Sequence, residues 1–293
     1  MPIDDLLAYF ADGGERPRHH LLFDDSGVFG RYRDLCLHSA FQALHAADTL
    51  RPAAHEALLR ARDEHNRAIS PAEAFARPGT PDEVVYFDRL CRTLHALNFV
   101  NLGGGDGTLY LNVSGRHLLS IGEGGHGRTF EALLAHCGLT PGQIVLEILE
   151  SGVDDLKHLQ SAIAAYRQRG YRVAIDDFGC QNSNFDRLWR LEPDIVKIDR
   201  SLIVQATDDA RARKILPKLV DIIHDLGARA VCEGIETRLQ HDLAVGAGAD
   251  LVQGFHYSRP ASSLQPDIAE HAAWRRPAAE RSGHDLDGAA LAA

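Results

Sequence analysis

The chain has 293 residues, of which 45% are hydrophobic and 25% are charged, and its formal net charge at pH 7 is −10. This length and apolar content allow one large globular domain or two small ones, and they exclude a disordered chain. Because the balance is acidic and no run of Lys and Arg occurs, DNA or another polyanion is excluded as a partner on charge grounds.

The cysteines are scattered, odd in number and without CxxC spacing, which argues against a disulfide framework or a zinc site. We expect reduced and mostly buried thiols. The sequence starts without a basic-then-apolar signal, and no apolar stretch approaches the roughly 20 residues that span a bilayer. We therefore expect a cytoplasmic protein without a membrane span. The five cysteines are Cys36, Cys91, Cys137, Cys180 and Cys232.

Residues 1–34 begin as a short amphipathic helix ("IDDLLAYF") and then turn irregular, so we assign them to an N-terminal extension that is too short for a domain. From Leu35 onward, short apolar runs alternate with stretches of helical spacing. Two of these stretches, "DDLKHLQSAIAAYRQRG" and "ARKILPKLVDIIHDLG", end in Gly, as helices often do. The apolar runs read as strands: "LCLHSAFQAL", "PAAHEALL", "LYLNV", "IVLEIL", "RVAIDDF", "IVKID", "RAVCEGI" and "LVQGF".

Strands that alternate with helices predict parallel β/α units. Eight runs within residues 35–264 match a TIM-like (β/α)8 barrel, for which ~250 residues is typical. A doubly wound open sheet is the alternative, but no GxGxxG follows the first strand. The first two runs are joined only by "HAADTLR", which is too short for a helical crossover, so we predict one antiparallel strand. Residues 265–293, rich in Ala, Pro and charge, read as a flexible tail.

Polar side chains stand near the carboxyl end of almost every predicted strand. In a barrel these ends converge on one face, where catalytic residues come from several strands. Five carboxylates and one ammonium there have a formal charge of −4. Like charges 4 Å apart repel by about 4 kcal/mol at an effective dielectric near 20, so the cluster must take up protons or bind cations. Its members are Glu56, Asn112, Glu147, Asp176, Asp177, Lys197, Glu233 and Gln253.

Carboxylate and amide oxygens without Cys or His select hard ions such as Mg²⁺ or Mn²⁺. The pair Asp176 and Asp177 has an ordinary interpretation as a helix cap or turn. Where a strand breaks into a loop, however, the turn can direct both side chains toward two neighbouring ions, the arrangement that clamps a phosphodiester. Lys197 then orients the attacking water or stabilises charge in the transition state; alternatively, it is a salt-bridged lysine that holds the acids apart.

The motifs "EALLR", "LNVS", "LEILES", "IDDFG", "VKID", "CEGIET" and "QGFHYSRP" occur in this order over residues 36–262. As a set they resemble the motif series of EAL-domain cyclic di-GMP phosphodiesterases, which act in bacterial second-messenger signalling. The resemblance implies a barrel with one antiparallel strand. It also implies hydrolysis of one phosphodiester bond of cyclic di-GMP to give linear pGpG, with two Mg²⁺ or Mn²⁺ ions per site.

The resemblance also implies residue roles. The catalytic residues would be Lys197, Glu233, Asp177 and Gln253, of which Lys197 and Gln253 would contact the catalytic water. Gln42 and Arg60 would bind substrate, the latter through a phosphate, and Leu59 and Pro260 would lie near the guanine. Glu150 would anchor the loop after the Asp pair, although it also reads as an ordinary acid near the start of a helix. The implied metal ligands are Glu56, Asn112, Glu147, Asp176, Asp177 and Glu233.

The sequence departs from the family pattern after "DDFG". The family commonly has Thr-Gly-Tyr-Ser-Ser there, whereas this chain has "CQNSN" from Cys180 to Asn184. The missing Gly removes an easy position of positive φ, and in this family the loop connects the metal site to dimerisation. The alternative function is therefore a catalytically weak or inactive cyclic di-GMP receptor or interaction module. A third reading is a different metal-dependent barrel that stabilises an enolate with a Lys base.

No GGDEF-type cyclase domain is present in the sequence. We expect a homodimer, with regulation through the N-terminal extension, dimerisation or a separate protein partner. The string "LGGGDGTLY" resembles a phosphate-binding glycine loop, but it precedes a strand instead of connecting a strand to a helix. We predict that it is a turn.

Overall fold

The computed structural model describes residues 19–24, 27–121, 127–149, 155–179 and 185–264. The strands are β1 (His19–Asp24), β2 (Gly27–Tyr32), β3 (Leu35–Ala46), β4 (Pro52–Arg62), β5 (Ala68–Ile69), β6 (Leu109–Val113), β7 (Ile144–Leu149), β8 (Arg172–Phe178), β9 (Ile195–Ile198), β10 (Arg229–Cys232) and β11 (Leu251–Val252). The helices are α1 (Pro71–Ala76), α2 (Pro81–Asn101), α3 (Gly115–Ser120), α4 (Arg128–His136), α5 (Leu156–Gln168), α6 (Phe185–Leu191), α7 (Arg200–Asp208), α8 (Ala210–Asp225) and α9 (Arg238–Gly246), with a 3-10 turn at Pro141–Gln143.

All eight predicted strands are present, and they close into a barrel. Strands β4 and β6 to β11 run parallel in the order β4-β6-β7-β8-β9-β10-β11. Strand β3 lies between β11 and β4 and is antiparallel to both. The predicted TIM-like barrel with one antiparallel strand is therefore confirmed, as is the reason given for it, because β3 and β4 are joined by a short turn.

The segment before β3 differs from the prediction. Residues 19–32, expected to be irregular, form the antiparallel hairpin β1–β2, and β2 continues onto β3 through the pair Gly30↔Leu37. The sequence signal is weak because each strand is only six residues long and the two residues between them in the sequence, Asp25 and Ser26, are polar. The predicted helix "IDDLLAYF" and the predicted tail lie outside the described residues.

Two predicted helices are present, and both end at the glycine that the sequence predicted. Helix α5 is followed by Gly170 at φ 88° and helix α8 by Gly227 at φ 77°, which is the left-handed conformation of a glycine that ends a helix. Helix α2 begins at a reciprocal cap, in which Thr80 and Glu83 each accept from the other's backbone N–H. The glycine-rich string forms the turn between α2 and β6, as predicted.

Apolar side chains fill both faces of the barrel wall. The outer face packs against the helices in one large cluster. The inner face contributes a separate layer with one residue from each barrel strand, which fills the barrel interior and forms the floor on which the polar residues lie. The layer consists of Leu44, Ala54, Tyr110, Val145, Ala174, Ile195, Val231 and Leu251.

The described cysteines agree with the prediction of reduced thiols. Cys36, Cys91, Cys137 and Cys232 are all free, and the last three are buried. Cys180 lies outside the described residues. Within the described part of the chain, no helix combines the length and apolar content needed to cross a bilayer.

Candidate active site

A ring of polar side chains lies directly above the apolar floor of the barrel. On each barrel strand, the polar residue lies two positions nearer the open end of the barrel than the apolar floor residue. Side chains alternate between the two faces of a strand, so both residues point into the barrel. The barrel thus brings all eight strands' polar residues to one level. The ring is Gln42, Glu56, Asn112, Glu147, Asp176, Lys197, Glu233 and Gln253.

Lys197 is the centre of this ring. Its Nζ lies 2.5 Å from Glu147 Oε1 and 2.6 Å from Glu233 Oε1. Asp176 Oδ1 is 3.1 Å away and Glu56 Oε2 is 3.6 Å away. The four carboxylates come from four different strands, so barrel closure is what creates this contact.

Two amides connect the acids. Asn112 Nδ2 donates to Glu56 Oε1 at 3.3 Å and to Glu147 Oε2 at 3.2 Å. Gln253 Nε2 donates to the other oxygen of Glu56 at 2.8 Å, and Gln42 Oε1 lies 3.4 Å from the same nitrogen. Glu56 is therefore held from both sides. Gln253 Oε1, by contrast, is buried without a hydrogen-bond partner among the described residues, which leaves a buried oxygen ligand available.

The Asp pair lies within β8 near its carboxyl end, at an irregularity where the pairing register with β9 shifts between Ile175 and Phe178. Asp177 has φ 57°, in the left-handed region, and its N–H donates to Asp176 Oδ1 at 3.0 Å. One oxygen of each of Asp176, Asp177 and Glu233 lies within 4.8 Å of the others. An all-oxygen group of this kind fits a hard divalent cation. This irregularity in β8 explains how consecutive carboxylates reach one centre, although the strand itself continues to Phe178.

Burial and mutual repulsion perturb the protonation of the ring. Burial, followed by the charge of Glu56, raises the pKa of Glu147 well above its usual value. Burial also raises the pKa of Glu233, despite Lys197, and the pKa of Asp177, to which Asp176 adds repulsion. Burial disfavours the ammonium of Lys197, but Asp176, Glu147 and Glu233 raise its pKa well above the ordinary value. Added positive charge at this position would favour the ionised forms of Glu147, Glu233 and Asp177.

Of the predicted substrate residues, Gln42 lies in the site and Leu59 does not. Gln42 lines a cavity of about 170 Å³ in front of Glu56 and Glu233. Leu59 is 5% exposed and belongs to the outer cluster between barrel and helices. Leu59 therefore faces away from Glu56, because the two residues are three positions apart and lie on opposite faces of β4. The leucine on the Glu56 face is the half-buried Leu58.

Arg60 and Pro260 lie together, but in a neighbouring cavity. That cavity has a volume of about 620 Å³ and opens between β2, β3 and residues 260–262. Arg60 is exposed, and its Nη1 donates to the Leu59 carbonyl at 3.0 Å. Neither residue lines the cavity in front of Glu56. Glu150 and the loop 180–184 lie outside the described residues.

Several residues at the mouth were missed by the sequence analysis. Arg200, Glu236 and Phe255 line the cavity in front of Glu56. Arg200 Nη2 donates to Glu236 Oε2 at 2.8 Å, which places a second cation near the acidic ring. The sequence could have indicated these residues, because they lie in or next to the motifs. Arg200 directly follows "VKID", and Glu236 and Phe255 belong to "CEGIET" and "QGF".

The fold and the site define a β/α barrel whose open end carries an acidic, all-oxygen centre around a buried lysine. The family model for the EAL domain matches residues 33–260, and the chain therefore belongs to the EAL domain family. The resemblance stated from the motifs is confirmed.

Relatives and solved structures share this domain. The chain is 32% identical over 127 residues to the probable cyclic di-GMP phosphodiesterase PdeB of Escherichia coli K12, a match that covers 43% of this chain and 24% of PdeB. It is 27% identical over 236 residues to the EAL-domain protein YkuI of Bacillus subtilis 168, covering 78% of this chain and 56% of YkuI. The chain thus spans only part of the length of these relatives.

Among solved structures, the calcium and cyclic di-GMP complex of Klebsiella pneumoniae BlrP1 has a TM-score of 0.69 and 29% identity. That match covers 78% of this chain and 57% of the BlrP1 chain. A manganese and cyclic di-GMP complex of BlrP1 has a TM-score of 0.68, 28% identity and the same coverage of both chains. Similar proteins have therefore been solved with a divalent cation and the dinucleotide.

Proposed function

We propose that this chain is a divalent-cation-dependent phosphodiesterase that hydrolyses cyclic di-GMP to linear pGpG. The observation that carries the proposal is the polar ring, in which four carboxylates converge on Lys197 and a fifth, Asp177, lies beside them. Such a concentration of acid is costly unless cations offset it. Membership of the EAL domain family and the named relatives support the choice of substrate.

The ring residues fit two Mg²⁺ or Mn²⁺ ions. Carboxylate oxygens and an amide are the ligands these ions prefer. When bound, a pair of such ions polarises a phosphodiester and activates water. The residues assigned to hold them are Glu56, Asn112, Glu147, Asp176, Asp177 and Glu233.

The remaining ring residues position the reactants. The Lys197 ammonium keeps its carboxylate neighbours in place and presents positive charge toward the attacking water and the phosphate. Gln253 fixes Glu56 through its Nε2, while its Oε1 has the capacity to accept a hydrogen bond from that water. At the mouth, Gln42 and Arg60 bind the substrate, and the planar guanidinium of Arg60 suits a phosphate oxygen pair. Pro260 lies beside Arg60 and borders the guanine.

The alternative is a receptor that binds cyclic di-GMP without turnover. The observation that favours it is the sequence "CQNSN", which replaces the glycine-containing loop common in the family. The two functions differ in product. Incubating the protein with cyclic di-GMP and Mn²⁺, with and without EDTA, and measuring pGpG by chromatography separates them. Sustained EDTA-sensitive production of pGpG supports the enzyme, and tight binding without product supports the receptor.

Glu56→Ala tests the role of the ring, and Asp177→Asn tests the carboxylate beside it. We expect each to lower the turnover of cyclic di-GMP by roughly 100-fold or more, since each removes a ligand oxygen and second-layer changes alone cost 10- to 100-fold. Circular dichroism should show an intact fold. Glu131→Gln is a matched control, because this acid pairs with Arg169 on the barrel exterior. Undiminished turnover in Glu56→Ala would contradict the proposal.

A homodimer and a regulatory protein partner remain proposals that rest on the resemblance. Light scattering of the purified chain measures the first directly. A mass of one chain, independent of concentration, would reject it.

A further inference from the structure

A buried ion pair lies on helix α2, outside the polar ring. Asp88 and Arg92 are one helical turn apart and are 1% and 2% exposed. Arg92 Nε donates to Asp88 Oδ2 at 2.6 Å, and its Nη2 contacts the same oxygen at 2.5 Å. Charges buried this deeply are unfavourable unless they are paired and hydrogen-bonded. The position of this pair is therefore tightly specified.

The surroundings of the pair define its protonation and orientation. Arg92 Nη2 lies 3.0 Å from His117 Nε2. A guanidinium has only donors, so the imidazole accepts at Nε2, is neutral and carries its proton on Nδ1, 3.5 Å from Asp88 Oδ2. The ring of Phe130 packs on the guanidinium at 4.3 Å. Helices α2, α3 and α4 thus meet at this pair.

The second oxygen of Asp88 connects the pair to strand β6. Asp88 Oδ1 accepts from the backbone N–H of Ser114 at 3.0 Å. Ser114 is two residues after Asn112 and is the N-cap of α3, where its own side chain makes no capping bond. The connection between β6 and α3 is therefore fixed by a hydrogen bond to Asp88 on helix α2, a carboxylate whose charge Arg92 neutralises.

The connection between β6 and α3 determines where Asn112 lies. Asn112 is exposed while its neighbours Leu111 and Val113 are buried, so packing around its own side chain does little to fix it. Its amide must nevertheless reach Glu56 and Glu147 at 3.3 and 3.2 Å. Both contacts are near the limit of a hydrogen bond, so a backbone shift of about 0.5 Å breaks them.

We infer that Asp88 is a positioning residue for the candidate metal centre, acting through the Ser114 N–H on Asn112. The inference rests on the proposed function in one respect, the assignment of Asn112 as a metal ligand. Arg92 serves by neutralising Asp88, and His117 and Phe130 hold the guanidinium in place.

Two double variants separate positioning from stability. Asp88→Asn with Arg92→Met and Asp88→Leu with Arg92→Met both remove the buried ion pair at nearly constant volume, a replacement that proteins often tolerate. Only the first keeps an oxygen that can accept from Ser114 N–H. We expect the Leu variant to lose roughly tenfold in affinity for Mn²⁺, measured by calorimetry with Mn²⁺ alone. The Asn variant should stay within about twofold of the parent chain.

Hydrogen exchange gives a readout that requires no metal. We expect amides of residues 109–118 to exchange faster in the Leu variant and at the parent rate in the Asn variant. Arg116→Gln is the control, because Arg116, on the same helix, donates to the carbonyls of Phe75 and Pro78, which lie outside β6. It should leave Mn²⁺ affinity unchanged.

Ser114→Pro removes the donor instead of the acceptor. Ser114 has φ −63°, which proline adopts, so the backbone conformation itself is compatible. We expect the same loss of Mn²⁺ affinity as in the Leu variant. If the double variants do not fold, Ser114→Pro alone tests whether the hydrogen bond to Asp88 positions Asn112.

Equal Mn²⁺ affinity and equal exchange in the two double variants would overturn the inference. If the parent chain binds no Mn²⁺, the proposed function fails instead. Hydrogen exchange then still decides the role of Asp88: faster exchange in the Leu variant alone supports it, and equal exchange rejects it.

Discussion

Lys197 contacts carboxylates from four strands, so this single residue carries much of the charge balance of the ring. The sequence analysis left its role open between catalysis and a salt bridge. The geometry shows that it forms the salt bridges, and a catalytic role in the same place is compatible with them. The reason is that an ammonium has three donors and the ring surrounds it with acceptors.

Lys197→Met should destabilise the chain in EDTA by roughly 3–5 kcal/mol, because removing one partner leaves buried acids without their cation. Mn²⁺ should recover more stability in this variant than in the parent chain. Urea unfolding with EDTA and with Mn²⁺ measures both effects. Lys218→Met, at an exposed position on α8, is the control and should be nearly neutral. Equal stability of Lys197→Met and the parent chain in EDTA would contradict the prediction.

Asp177 combines a special backbone with a carboxylate. Its φ of 57° is left-handed, a conformation that Asn and Asp tolerate better than Ala. Asp177→Asn and Asp177→Ala remove the same charge, so we expect the Ala variant to be less stable by about 1 kcal/mol. Chemical denaturation of the two variants side by side tests this. Equal stability would mean that the backbone relaxes without cost.

At the scale of the elements, strand β4 shows how alternation sorts neighbouring residues. Glu56 and Leu58 share the inner face, while Leu59 packs among the helices. The resemblance placed Leu59 beside the substrate because it stands next to Arg60 in the motif "EALLR". Adjacent residues of a strand point to opposite faces, and this period of two was available from the sequence.

Leu59→Ala and Leu58→Ala form a matched pair. We expect Leu59→Ala to lower the free energy of unfolding by roughly 2–4 kcal/mol, as for other buried leucines, with little change in affinity for cyclic di-GMP. Leu58→Ala should cost less stability and weaken binding of the dinucleotide. Denaturation and calorimetric titration measure the two quantities. If Leu59→Ala weakened binding of cyclic di-GMP more than Leu58→Ala did, Leu59 would be the leucine that contacts the dinucleotide.

At the scale of the whole molecule, the closed barrel concentrates charge that is distant in sequence. Residues between Gln42 and Gln253 contribute to the ring, and an open sheet would leave them spread along an edge. Because the barrel also excludes water from Glu147, it links folding to protonation and, under the proposed function, to cation binding.

Because folding is linked to protonation, the stability of the folded chain depends on pH, and the direction of the change can be stated. The folded-state pKa of Glu147 and Glu233 is raised, so the folded chain binds more protons than the unfolded chain above about pH 4.3, the ordinary pKa of Glu. In EDTA, their contribution to stability is therefore lost as pH rises through the raised pKa values. Cation binding requires the ionised acids, so stabilisation by Mn²⁺ should grow with pH.

Thermal unfolding between pH 5 and 8, in EDTA and in Mn²⁺, measures this dependence. The gap between the two unfolding midpoints should widen as pH rises. Glu147→Gln removes one of the groups responsible and should flatten the slope in EDTA. A gap that narrows with pH would contradict the assignment of these acids.

The sequence by itself determined the eight barrel strands, the antiparallel first strand and the ring of polar residues, because periodicity, turn length and position within a strand are local properties. It also determined the family, through motifs in a fixed order. Only the tertiary structure decided the contacts of Lys197, the placement of Arg60 and Pro260 in a neighbouring cavity, the pairing of the β1–β2 hairpin and the link from Asp88 to Ser114. Those features join residues far apart in the chain, and closure of the barrel and packing of its helices establish which of them meet.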